Sequence, residues 1–556
     1  MSDSISNARG ELDEAYPTVV IGSGYGGAVT AARLAEQGLP VCLLERGREW
    51  QVGEFPDSFP ELAGNLRRSD HPLGLIDYYL CSDIDVLKAS GLGGTSLINL
   101  NVAFRPDREL FEDRRWPRAY RDQADSGEIW SFYQKAEDVL RPNPHPHWDQ
   151  LTKVRRFKKR ADQLRDLTFG PAQLTVSFER EGKNRFGIEQ RPCIDCGDCF
   201  PGCNVGAKNT LAMNYLPYAR RQGAVIFTQI DVRHLEKLAG GGYRVHYRYN
   251  RPDRTGEVRT VRAGNVILAA GAVGSTEILL RSAAAGLATS RQLGRCFNGN
   301  GDYIGLAYNT DHRTDVLGFG NHPDSPRAEV APGPTIVAAM QYDRSAPFEQ
   351  RITVCDFQVF PSALVDTFRR ALPALALTGD DSDAGTKDRL HELARVGRDL
   401  ATWSPDGALN HSLLYLVMAI DDGQGKLFLG SDDKLDIAWP SVKSDPIFDR
   451  IAEELKQHAA SLGGTFVHLE RLNPWPRKKS NLITAHPLGG CVLGEDADGG
   501  VVDSLGRVFD GGGGVHEGLY VVDGAIVPSP IGVNPFLTIA ALAERIAATL
   551  PSTLVK

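Results

Sequence analysis

Residues 17–46 read PTVVIGSGYGGAVTAARLAEQGLPVCLLER. An apolar run ends at Ile21, a glycine-rich turn follows, small residues recur through 28–35, Gly38 stops the pattern, and a second apolar run ends at Glu45. This succession predicts a strand, a helix and a second strand, a βαβ unit. Inside it, Gly22-Ser23-Gly24-Tyr25-Gly26-Gly27 has the spacing of a dinucleotide-binding turn. Gly22 supplies the tight turn, Gly24 lets backbone N–H groups approach a pyrophosphate, and Gly27 lets the helix pack closely on the strand. Tyr25 and Gly26 open a helix whose positive end favours the anion. Glu45 stands about 20 residues on, where a carboxylate meets ribose hydroxyls.

Working outward, a second glycine turn, GLGGTSLINLN, covers residues 91–101. The first motif alone does not choose between FAD and NAD. Gly91, Gly94, Thr95, Ser96 and Asn99 form a stretch long enough to lie along a ribityl chain or isoalloxazine edge, with a simple loop as the other reading. A third turn, VILAAGAVGSTEILL at 266–280, places Gly271 and Ser275 between strand and helix, and Val232 in the strand-rich run before it is counted with the cofactor residues. The C-terminal part returns to the same style with AHPLGGC (485–491), LYVVDGA (519–525) and IGVNPFLTIAALAER (531–545). Asp523 and Gly524 close a strand. Pro535 sits at a helix start, so the positive helix end faces whatever lies beside Asn534. His486, fixed by Pro487 and a Gly-Gly pair, has an imidazole free to accept or position a hydroxyl proton.

Taken in order, these motifs resemble the glucose-methanol-choline (GMC) flavoprotein oxidoreductase family, and within it bacterial cholesterol oxidases of the non-covalent FAD type and their relatives. The landmarks run from residue 18 to 545. The resemblance implies an α/β protein with a Rossmann-like FAD-binding domain assembled from residues 15–105, 191–300 and 481–552. A substrate domain with a mixed or antiparallel sheet would then come from 106–190 and 301–480. It also implies that His486 is the active-site histidine and Asn534 the asparagine near flavin and substrate oxygen. By the same resemblance Asp356, in VCDFQVFP (354–361), stands where steroid enzymes carry a glutamate base for double-bond isomerisation. The motif departs from the pattern, with Val359 where a proline is expected and a shorter carboxylate; a satisfied strand residue is the other reading of Asp356.

Four of the nine cysteines fall in Cys193-Ile-Asp-Cys196-Gly-Asp-Cys199-Phe-Pro-Gly-Cys203. This C-x2-C-x2-C-x3-C spacing matches the ferredoxin run that wraps an iron–sulfur cluster. Asn204 replaces the usual proline after the fourth cysteine, so structural thiols or zinc stand beside the cluster as alternatives. With a cluster, electrons leave singly to an acceptor protein or quinone; without one, the reduced flavin meets oxygen directly.

The 556 residues carry 62 basic and 70 acidic side chains, a net charge of −8, with no basic run, which excludes the footprint of a nucleic-acid binder. No stretch approaches the ~18 apolar residues of a membrane span, and the polar start, MSDSISNARGELDEAY, places the chain in the cytoplasm by expectation. The expected activity is FAD-dependent oxidation of a CH–OH group on a bulky hydrophobic, sterol-like alcohol by hydride transfer to flavin N5. The second reading is the same fold doing non-redox chemistry as a lyase, isomerase or photodecarboxylase; a third is an electron-transfer protein dominated by its cysteine loop. Apolar residues at 365–378 offer a lid over the substrate, with an amphipathic surface helix as the simpler reading.

Overall fold

The computed structural model describes residues 4–554, apart from 8–9, 321–329, 358, 384, 402–403 and 469–480. β1 (Ala15–Ile21), α1 (Tyr25–Glu36) and β2 (Cys42–Leu44) form the βαβ unit that opens the chain. β3 (Val258–Leu268) runs into α2 (Gly271–Ala284), and β4 (Val515–Val521) precedes α3 (Phe536–Thr553). Side by side, the order is β4, β3, β1, β2 and then 225–227, every neighbour parallel. The central strands are apolar almost without interruption because helices and loops cover both faces: Val19, Val20, Leu43 and Val266 are fully buried. An antiparallel ribbon, Ile230–Lys237 with Tyr243–Tyr249, extends from β3, and Arg507–Phe509 pairs with β4. The glycine turns follow β1 and β3 at their carboxyl ends, and Asp523 follows β4, so the three converge on one crevice, the usual ligand position in such sheets.

A second sheet of seven strands is antiparallel throughout, in the order 380–381, 465–468, 303–308, 413–419, 352–355, 338–342 and 167–171. Its central strand, Leu413–Ala419, is buried at every position, and the helices Thr152–Ala161 and Pro446–Ala460 pack against the sheet. A three-stranded sheet (Leu482–Thr484, Ile84–Ala89 and Ile76–Tyr79) holds residues 482–484 beside 84–86.

The hydrophobic interior divides into two large cores and a smaller one, and the segment 106–190 is shared between the two large ones. Residues 106–190 do not fall together: Phe111, Trp116, Tyr120, Tyr133 and Leu140 pack into the core around the parallel sheet, with the helix Ile129–Leu140 against α3. Trp148, Leu151 and the buried apolar residues from Val154 to Val176 go instead with the core of the antiparallel sheet, while Phe186 packs against the first core again. The Arg- and Asp-rich composition of 106–140 reads as surface because one helical face is charged, while the opposite face buries several of the largest side chains of the molecule. The apolar stretch at 365–378 lies in the helix Ser362–Ala376 and just beyond it. None of its residues lines the cavity described next, so the surface-helix reading holds and the lid does not.

Candidate active site

A long cavity runs from the turn after β1, beneath the second glycine turn, to the antiparallel sheet. Gly22, Gly24, Tyr25, Gly26, Glu45, Gly94, Thr95, Asn99, Val232, Gly271, Asp523, Gly524, Asn534, Pro535 and His486 all line it, brought together from segments more than 500 residues apart in sequence. The glycine turn is built as a cradle. A Cβ on Gly24 would meet nothing within 4 Å, whereas on Gly27 it would lie 2.0 Å from the Gly22 carbonyl oxygen and on Gly26 2.4 Å from that of Val522. Gly27 therefore serves helix-on-strand packing, and Gly24 keeps a backbone face open at the N-terminus of α1.

Five residues expected at the site stand behind it. Gly27 packs as just described. Gly91 is pressed against Leu97 and Trp50, and Ser96 Oγ donates to the Gly93 carbonyl at 2.7 Å while accepting from the Leu211 N–H at 3.1 Å. Ser275 Oγ donates to Asp523 Oδ2 at 2.5 Å, and Asp523 also accepts from the N–H groups of Gly271 and Ala525 at 2.8 Å, which ties the end of β4 to the start of α2. Gly91, Ser96 and Ser275 are not among the residues lining the cavity. Asp356 is fully buried away from the cavity: its Oδ1 accepts the N–H groups of Val337 and Ala338 at 2.7 Å each, and Lys153 Nζ is 3.7 Å from Oδ2. Burial pushes its carboxyl up to about 6 against the pull of Lys153. Its neighbour Phe357 faces the cavity instead, because successive strand-end residues point to opposite sides. The departure of this motif from the expected pattern thus has a structural counterpart.

The sequence reading missed four polar residues. Ser23 Oγ donates to Glu45 Oε2 at 2.6 Å and accepts the Gly93 N–H at 2.9 Å, welding the first glycine turn to the second; it sits within the quoted motif, so its position was open to view. Asn101 lies in the left-handed region (φ 70°) at the end of the second turn, and its buried amide has no hydrogen-bond partner although it lines the cavity. Lys88, also lining the cavity, is lowered by burial to about 8. The fourth is Asp302. Its Oδ1 is 2.7 Å from His486 Nδ1, and its Oδ2 accepts from Thr484 Oγ1 and from the N–H groups of Ala485 and His486 at 2.9–3.1 Å. Asp302 is nearly sealed from solvent, at 4% exposure.

With an acidic partner on Nδ1, His486 presents Nε2 to the cavity, where Asn534 Nδ2 stands 3.4 Å away. Asn534 Oδ1 is buried with no hydrogen-bond partner. Pro535 caps α3, which begins at Phe536, one residue later than the sequence predicts. The ring of Phe536 stacks on Tyr25 with centroids 4.8 Å apart, and Tyr25 Oη accepts from Asn99 Nδ2 at 2.9 Å. At this end Leu100, Val102, Ile304, Phe357 and Leu416 give the cavity an apolar wall.

Comparison with known proteins matches the GMC oxidoreductase models to residues 26–298 and 446–543, two thirds of the chain when taken together and including both halves of the cavity. The chain belongs to the GMC oxidoreductase family. Among relatives in this family, the cholesterol oxidase of Mycobacterium tuberculosis is 27% identical over 97% of this chain and 91% of its own length. That of Acinetobacter baumannii is 26% identical over 97% and 94%. Long-chain-alcohol oxidase FAO4B of Arabidopsis thaliana is 24% identical over 98% of this chain and 69% of its own. In three dimensions the GMC fold is shared with pyridoxine 4-oxidase from Mesorbium loti, at a TM-score of 0.61 and 16% identity, covering 97% of this chain and 99% of that one. No helix among the described residues is long and apolar enough to cross a membrane.

The four cysteines of the C-x2-C-x2-C-x3-C segment lie on one loop, with Cys196 buried and Cys193, Cys199 and Cys203 half-buried. Cys193 and Cys203 pack against the core of the antiparallel sheet. All four are free.

Proposed function

We propose that this GMC oxidoreductase uses FAD to oxidise the CH–OH group of a bulky hydrophobic alcohol of the sterol or long-chain class. The observation that carries the reading is the pairing of Asp302–His486–Asn534 with an apolar wall at one end of a dinucleotide cradle. The fit to FAD rests on the open face at Gly24, the converging turns at Gly94 and Gly271, and the unpartnered buried amides of Asn101 and Asn534. The parallel-sheet lobe would hold the cofactor and the antiparallel sheet would face the substrate. Cholesterol and long-chain alcohols, named for the relatives, fit an end lined by Leu100, Val102, Ile304, Phe357 and Leu416.

FAD, when bound, supplies the hydride acceptor for the carbinol carbon. The chain's own residues do the rest. Asp302 accepts the Nδ1 proton of His486, which leaves the Nε2 lone pair facing the cavity and able to take the substrate hydroxyl proton. The carboxylate, itself nearly sealed from solvent, also stabilises the imidazolium that forms, at a distance of 2.7 Å. Asn534 Nδ2 adds a donor for the alcohol oxygen, and the start of α3 directs its positive end toward the same point. The apolar wall excludes water and holds the carbinol between imidazole and amide.

The test is anaerobic mixing of FAD-loaded protein with a sterol and, separately, a long-chain primary alcohol. Bleaching of the oxidised flavin band by either alcohol supports the reading. If both leave the flavin oxidised, the non-redox alternative takes its place. Oxygen consumption after bleaching then tells whether oxygen or another acceptor removes the electrons.

A further inference from the structure

The loop that carries the four cysteines has features beyond spacing. Asp195 (φ 58°) and Gly197 (φ 83°) are both left-handed, so the chain reverses after Cys193 and again after Cys196. Each reversal turns the backbone N–H two residues on toward the sulfur. The Asp195 N–H donates to Cys193 Sγ at 3.4 Å, and Asp198 serves Cys196 in the same way. The Thr335 N–H, from the opposite side, donates to Cys199 Sγ at 3.5 Å. Amide donors aimed at sulfur stabilise and orient thiolate ligands of iron–sulfur centres.

We propose that Cys193, Cys196, Cys199 and Cys203 ligate an iron–sulfur cluster beside the cofactor cavity. A single zinc ion fits less well, because the side-chain groups close enough to share one ion among the described residues are carboxylate clusters around Asp388, not these sulfurs. A cluster spreads its thiolates wider than one ion does. One buried lysine places positive charge beside the loop: Lys208 Nζ donates to the Cys199 carbonyl at 3.4 Å. Thiol protons must leave on ligation. Asp195 Oδ1, 3.6 Å from Cys193 Sγ and 3.1 Å from His145 Nε2, provides a route for one of them.

Position gives the cluster its role. Phe200, between the third and fourth cysteines, lines the cofactor cavity, and Lys208 joins the Cys199 carbonyl to those of Leu97 and Asn99 in the second glycine turn. The ring of Phe200 and the Lys208 ammonium thus link the loop to the cavity wall. Oxidation of one alcohol to a carbonyl releases two electrons and two protons. The cluster would pass the electrons singly to two equivalents of a one-electron acceptor protein, while the protons go to solvent. This relay, unlike the cluster itself, rests on the FAD reading above.

The test begins with the full chain purified anaerobically, then exposed to ferrous iron, sulfide and thiol reductant, and freed of excess. FAD, iron, acid-labile sulfide and zinc are measured on the same sample. About four irons and four sulfides per chain, with a low-temperature paramagnetic signal on reduction, support the proposal; zinc in place of iron, or FAD with only background iron, overturns it. Cys196→Ser and Cys199→Ser should lose iron and sulfide while keeping FAD, and Cys296→Ser, outside the loop, should keep all three. Because FAD is scored separately, failure of the cluster and failure of the flavin assignment are distinguishable. Iron retained in both loop variants would overturn the ligand set.

Discussion

Asp302 Oδ1 and His486 Nδ1 are 2.7 Å apart, and the same carboxylate accepts the backbone N–H of His486 through Oδ2 at 3.1 Å. One side chain therefore fixes both the place and the tautomer of the histidine. In Asp302→Asn the backbone contacts can persist through the amide oxygen, but the amide nitrogen then faces Nδ1 and forces the proton onto Nε2. The expected outcome is a fall in kcat of ~10²-fold or more with little change in KM or FAD content. Steady-state kinetics on a bleaching alcohol measure it; unchanged kcat would remove Asp302 from its positioning role.

Gly24 and Gly27 make opposite predictions within one turn. A methyl group at Gly24 points into open cavity from an ordinary backbone (φ −66°), so Gly24→Ala should fold with unchanged melting temperature and bind FAD at least tenfold more weakly. At Gly27 the added carbon would sit 2.0 Å from a backbone oxygen. Gly27→Ala should destabilise the apoprotein by about 1–3 kcal/mol or more. Thermal melts of apoprotein and FAD titration separate the two.

Asp356 and Lys153 form a pair with no exposed side-chain surface, 3.7 Å apart. Asp356→Asn leaves a buried ammonium without its counter-charge, and the loss expected is about 3–5 kcal/mol. The turnover of the folded, FAD-bound fraction should stay within about twofold of the parent, a difference of less than ~0.5 kcal/mol in barrier. Denaturant unfolding and kcat per bound flavin check both parts. A large kcat loss in protein of parental stability would restore Asp356 to the chemistry.

His458 sits fully enclosed against Phe157, Tyr342 and Tyr415, and burial lowers it to about 3 from the ordinary 6.5. The unfolded chain takes up a proton below 6.5 that the folded chain refuses until about pH 3. Folded stability from this group is therefore whole above 6.5 and declines as the pH falls toward 3. His458→Gln removes the titration, so the stability difference between parent and variant should shift in the variant's favour on acidification from pH 7 to 4. Denaturation curves across that range measure it, and a pH-independent difference would show that the imidazole is not held neutral.

The parts legible in the sequence were those whose function is written in backbone. Glycine turns announce themselves because Gly22 and Gly27 answer steric demands of the backbone while Gly24 leaves its face open to a ligand, and the order of strand, turn and helix follows from short-range pattern. His486 and Asn534 stand beside Pro487 and Pro535, which mark them. Asp302 has no such neighbour: it reaches His486 across 184 residues of intervening chain, a contact made only by folding. Tyr120 and Tyr133 were hidden in the same way, since their helices carry charge on one side and bury aromatics on the other. Asp356 shows the converse error, where a motif placed a carboxylate correctly along the chain but could not say which face of the strand end it occupied.

The cofactor cradle is closed by β4 and α3, which lie between residues 515 and 553, while its first turn is at Gly22. During synthesis the N-terminal turn leaves the ribosome long before the strand and helix that complete it. The nascent chain thus carries an apolar, half-built sheet with an open edge at β3 until the last segments arrive. Cofactor loading must wait for β4 and α3, and a cofactor that binds the completed cradle acts as a folding ligand for the lobe those two segments close.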